Sequence, residues 1–157
     1  MNVLPATPLN VAFLANTDKK ITSTTTVLDN TLASVSTCTT CSQLSALKSS
    51  SDEISAEFDK TKAMVTGFFD DQVAEITKTI NGLAPLLAAP TDIGSCVSWI
   101  TKMIANIQGP YTKMLTVQAQ MLLKQTEFAS KLSTITGKVN SLQSSITAKS
   151  STLNCTI

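Results

Sequence analysis

The chain contains no histidine and no arginine; all twelve of its cations are lysine. Without histidine it lacks the commonest general base and the commonest metal ligand. Without arginine it lacks the planar fork that grips phosphate and carboxylate in two places. Charge is sparse, at 15% of residues with a net value of +1, so nothing draws the chain toward nucleic acid or an anionic surface. Aromatics make up 4%, with one Trp and one Tyr, Trp99 and Tyr111. No run approaches the ~20 apolar residues that span a bilayer. The longest candidates, 83–89 and 96–107, are short or interrupted by polar residues. P-loop, dinucleotide, zinc-protease and nucleophile-elbow motifs are also missing. These absences predict a protein that is not an enzyme and uses no cofactor or metal.

What fills the polar positions is hydroxyl: 18 Ser and 24 Thr among 157 residues. Such residues are mediocre helix formers, so helices built from them depend on packing partners. Helical period is nevertheless the strongest signal. Every seventh residue from Tyr111 gives Gln118, Gln125, Leu132, Val139, Ile146 and Leu153; the set offset by three is Met114, Met121, Phe128, Ile135, Leu142 and Lys149. This 3-4 alternation predicts one continuous helix over about 110–154 with a narrow seam. Leu132, Ile135, Val139, Leu142, Ile146 and Leu153 form its expected interaction seam. An added apolar row, Leu115, Ala119, Leu122 and Ala129, predicts that the first half touches a second neighbour.

A matching pattern runs Leu44, Leu47, Ser51, Ile54, Phe58, Thr61, Val65, Phe69, Val73, Ile76, Ile80, with a stutter near Gly67. It predicts a helix over 43–82, opened by Ser42 as N-cap and closed by Asn81-Gly82. An apolar connector, 83–92, then leads to a short helix over 93–108, which Gly109-Pro110 separates from the last one. Ahead of these, Ile21, Thr25, Leu28, Leu32 and Val35 predict a helix over 18–36. Residues 1–17, with Pro5 and Pro8 and no basic leader region, read as an extended arm on a neighbouring molecule rather than a signal peptide.

The four cysteines are even in number. Two antiparallel helices of matched length bring Cys155 to the end that holds Cys38 and Cys41, and keep Cys96 distant. Cys155 is therefore expected to pair with Cys38 or Cys41 in an oxidising compartment. A redox dithiol at Cys38-Thr39-Thr40-Cys41 is disfavoured because no βαβ pattern surrounds it, and a four-cysteine zinc site because a second close pair is lacking. Asp52-Glu53, Glu57 with Asp59, and Asp70-Asp71 read as solvated helix faces. Gln118 and Gln125 are either a register-setting polar layer of an assembly or an exposed stretch of seam. Trp99 is expected in the core or at its margin, the alternative being an interface, and Met103, Met114 and Met121 as core filling, the alternative being the lining of an adaptable apolar site. Asn154-Cys155-Thr156 formally fits a glycosylation acceptor.

The sequence thus predicts an all-α, elongated antiparallel helical bundle of three to four helices. Two of them are long and coiled-coil-like; the arm is residues 1–17 and the single bundle domain 18–157. A helical rod without catalytic groups suits a non-catalytic structural or assembly protein, such as a minor component of a virion or another large assembly. Its expected partners are other protein subunits, identical or not, with no nucleic acid and no transmembrane segment. A virion or extracellular setting fits best. The alternative is a secreted helical bundle that binds an apolar ligand or hydrophobic surface.

Overall fold

A computed structural model of the chain describes residues 11–88 and 97–157. Of these, 94% are helical and none is in a strand. Three helices follow in chain order: α1 (Val11–Thr37), α2 (Cys41–Leu87) and α3 (Val97–Leu153). The Thr22–Thr26 run, rich in β-branched residues, is helical throughout. Three of its five hydroxyls bond inside the helix, with Thr22, Thr25 and Thr26 donating to the carbonyls of Asp18, Ile21 and Thr22. The same back-bonding recurs along α2 and α3, as at Thr61, Thr134 and Thr152. It lets this composition stay helical without solvating every hydroxyl.

The helices pack as two compact units, one of Asn10–Val65 with Glu127–Ile157, the other containing Thr66–Thr126. In the first, all three helices contribute to one core. Ile21, Leu28 and Val35 come from α1, Leu44, Phe58 and Val65 from α2, and Phe128, Leu132, Ile135, Val139, Leu142 and Ile146 from α3; all are buried. Each set keeps a seven-residue or 3-4 spacing, the signature of seam packing. Lysines set the direction of α1. Lys131 bonds Asp18 at 2.5 Å, Lys138 bonds Asp29, and Lys149 donates to the Ser36 carbonyl at 3.1 Å. These contacts ascend together along both helices, so α1 runs parallel to α3. It runs antiparallel to α2, which it meets through Lys20–Glu57 at 2.6 Å.

In the second unit, parts of α2 and α3 pair antiparallel: Gln118 donates to Thr77 at 2.9 Å and Gln125 to Asp70 at 3.2 Å. Phe69, Ile76, Ile80 and Met121 are its described buried apolar residues. Phe69 also stacks edge-on against Phe68, with ring centroids 5.4 Å apart.

Four expectations about boundaries change. First, α1 begins at Val11, so 11–17 belong to a helix rather than to an extended arm; Thr17 is buried in the first unit. Residues 1–10 lie outside the described residues. Second, α2 does not stop at Asn81-Gly82 but continues through Pro85 to Leu87. Third, Gly109-Pro110 does not divide the chain, and α3 runs 57 residues through it. Proline removes one hydrogen bond and usually clashes with the residue before it. Here that residue is Gly109, which has no Cβ to clash with the proline ring. Fourth, the N-cap of α2 is Thr40 rather than Ser42. Thr40 Oγ1 accepts from the Gln43 amide at 3.3 Å, while Gln43 Oε1 accepts from the Thr39 amide at 3.1 Å. This is a capping box of the Thr-x-x-Gln type, displaced by one residue on its return bond.

Candidate functional site

Two places carry the sequence features singled out above: the end of the first unit that gathers cysteines, and the outer faces of α3.

At the cysteine end, α1 stops at Thr37 and the capping box starts α2 at Cys41. From the other side, α3 closes in a left-handed turn. Asn154 has φ 53°, its amide bonds the Ser151 carbonyl at 3.3 Å, and the Cys155 amide reaches back to the Ser150 carbonyl at 2.9 Å. This is a Schellman ending, with Asn taking the left-handed position that glycine usually fills. The turn folds Cys155 back toward Cys41. The two are at disulfide distance, with Sγ–Sγ 2.05 Å and Cα atoms 5.4 Å apart across 114 residues of sequence. Of the two expected partners of Cys155, the structure selects Cys41. Cys38 is a free, buried thiol. Cys96 lies outside the described residues. No group of three or more His, Cys, Asp or Glu that could hold a metal occurs among the described residues.

The expected interaction seam is spent inside the chain. Leu132, Ile135, Val139, Leu142 and Ile146 are between 0% and 6% exposed, and Leu153 is half-buried. Their partners are α1 and α2 of the same chain. Gln118 and Gln125 are half-buried and bond across to α2 of the same chain, so the polar pairs they make are internal ones.

The added apolar row is where sequence and structure part. Leu115 is 40% exposed, Leu122 43% and Leu123 72%, and Ala119 and Ala129 are exposed. Trp99, expected in or beside the core, is 66% exposed. Leu115, Ala119, Leu122 and Leu123 sit at i, i+4, i+7 and i+8, the spacing of a helix face that packs on something. Within the Thr66–Thr126 unit that face has no cover among the described residues. Of the methionines, Met121 is buried while Met103 and Met114 are half-buried.

The electrostatics of the first unit are those of partly exposed helix-to-helix pairs. Lys131 sits between Asp18 and Glu127, and their hydrogen bonds raise its pKa above the ordinary lysine value. Its ammonium also lies 5.2 Å from the Phe128 ring centroid. Glu57 is held below the usual carboxylate range, first by its hydrogen bond from Lys20. Both assignments are structural: these groups tie helices together and face no cleft. No described helix is long and apolar enough to cross a membrane.

No known protein family, curated protein or solved structure matches this chain.

Proposed function

We propose that this is a non-catalytic structural or assembly protein, acting as a spacer or cement subunit of a virion or another large protein assembly. The observation that carries the reading is the uncovered apolar face of α3 at Leu115, Ala119, Leu122 and Leu123; Trp99, nearer the start of the same helix, is exposed as well. Isolated exposed leucines are ordinary, but a row at helical spacing marks a surface that another protein covers. The two units differ in the way this role requires. Thirteen of the seventeen described buried apolar residues lie in the three-helix unit and four in the Thr66–Thr126 unit. The first has a closed core. The second pairs two helix segments and leaves apolar surface for partners. The Cys41–Cys155 pair suits an assembly that persists in an oxidising, extracellular setting.

Native mass spectrometry of the purified full chain, and of the particle with which it is recovered, tests this. Stoichiometric incorporation into a defined high-order complex is the expected result. A monomer carrying bound lipid, with no incorporation, would overturn it in favour of a bundle that binds an apolar ligand.

A further inference from the structure

We propose that the uncovered face of α3 in the Thr66–Thr126 unit seats an acidic amphipathic helix of a different protein subunit. The inference rests on the assembly reading above and gives the chemistry of the partner.

The apolar part of the face is narrow. At about 100° per residue, Leu122, Leu115, Ala119 and Leu123 follow one another around α3 within an arc of about 100°. All four are exposed. An arc of that width is what one packed helix covers. Thr116 and Thr126 lie in or beside it. Thr116 donates its hydroxyl to the Thr112 carbonyl at 3.1 Å, and Thr126 to the Leu122 carbonyl at 3.0 Å. A partner that covers these two hydroxyls therefore strands neither donor.

Charge names the partner. From Val97 to Thr126, α3 carries Lys102, Lys113 and Lys124 and no acidic residue. The three lysines are exposed and fall at a constant spacing of eleven residues. That spacing is close to three whole turns, so they form one line along the helix. The line lies beside the apolar arc, on the side of Leu123, and Lys113 and Lys124 bracket the leucines along the axis. Lys102 and Lys113 have no acidic partner among the described residues. The other edge differs. Beyond Leu122 comes Gln125, which bonds Asp70 of α2, so an acid borders the leucines there. The fitting helix has apolar residues in its middle, acidic residues along the edge that meets the lysines and uncharged ones along the edge near Asp70. Asp70 also counts against an anionic lipid surface, which would lie over both edges at once.

Fluorescence anisotropy with the full-length chain tests this. The probe is a dye-labelled synthetic helix of about four heptads, with a Leu/Ala seam, Glu along one edge and Gln along the other. Its counterpart carries Lys in place of Glu. The Glu helix should bind with a Kd below about 100 µM, and about tenfold or more tightly than the Lys helix. Lys102→Glu with Lys113→Glu should reverse that preference. Leu115→Ser with Leu122→Ser should weaken binding of the Glu helix by about tenfold or more. These positions are exposed, and circular dichroism confirms that each variant keeps its helix. Equal binding of the two probes, or a preference that survives the lysine reversal, overturns the acidic partner. A Glu helix that does not bind, or binds unmoved by the leucine variants, overturns the docking site. Co-sedimentation with phosphatidylserine vesicles in place of peptide binding gives the face to lipid, and self-association that excludes the Glu helix gives it to a second copy; either overturns the proposal. Each of these failures leaves incorporation into a larger particle, and so the assembly reading, intact.

Discussion

Replacing both Cys41 and Cys155 with Ser should cost the three-helix unit about 5 kcal/mol at 25 °C. The figure follows from the loop that the bridge closes, 114 residues of separation, in the chain-entropy account of cross-links. Most of the effect falls on the unfolded chain, because the native end is held by other contacts as well. Leu44 and Leu142 are fully buried, Ile146 is 4% exposed, and Lys149 still reaches the Ser36 carbonyl. The variant should therefore remain folded and helical in water. With a urea slope of about 1.5 kcal/mol per molar for a unit of this size, its midpoint should fall by about 3 M. Urea titration followed by circular dichroism, beside non-reducing peptide mapping of wild type, gives both quantities. Cys38→Ser is the control: its thiol is buried but unbridged, so stability should change by about 1 kcal/mol or less and the midpoint by less than about 0.7 M. An unchanged midpoint in the double variant would refute the reasoning. So would a peptide map in which Cys155 is joined to Cys38 or Cys96.

Three further outcomes follow from the packing. Leu142→Asp should cost several kcal/mol by thermal unfolding, while Ser141→Asp, one exposed step away, should be nearly neutral; equal melting temperatures would contradict the seam assignment. Gly137→Ala should stabilise α3 by about 1 kcal/mol, since the position is helical and an added Cβ meets nothing within 4 Å; a loss of stability would show a contact that the structure lacks. Stability should be flat near neutrality and fall at both extremes. Lys131, raised in the folded state, contributes below the ordinary lysine range and loses that contribution as pH climbs through its folded value. Glu57, lowered in the folded state, contributes above the ordinary glutamate range and loses it as pH falls through its folded value. Lys131→Met should blunt the alkaline limb and Glu57→Gln the acid limb, each modestly because the pairs are exposed and salt screens them; limbs unchanged in these variants would deny the two pairs their role.

The helical class, the antiparallel pairing of two long segments and the meeting of Cys155 with the 38–41 corner were all readable without coordinates. Period decides them, and a seven-residue repeat sustained over forty positions admits few other structures. The capping box at Thr40 was also legible, as Thr-x-x-Gln, but the neighbouring Ser42 is an equally good cap residue by type and drew the expectation two positions on. Boundaries set by single residues were not legible. Asn81-Gly82 and Gly109-Pro110 are helix-ending signals worth about 1–3 kcal/mol each, an amount that a continuous packed face on either side offsets. Only the tertiary structure decided which periodic rows become core. Leu142 and Leu122 recur at the same helical spacing, yet one is fully buried and the other 43% exposed. The difference lies in how many neighbours surround each: α1 completes a three-helix core around Leu142, and only two described helix segments pair around Leu122. Periodicity along a chain records that a face is made to be covered; what covers it depends on residues far away in sequence, or on another molecule.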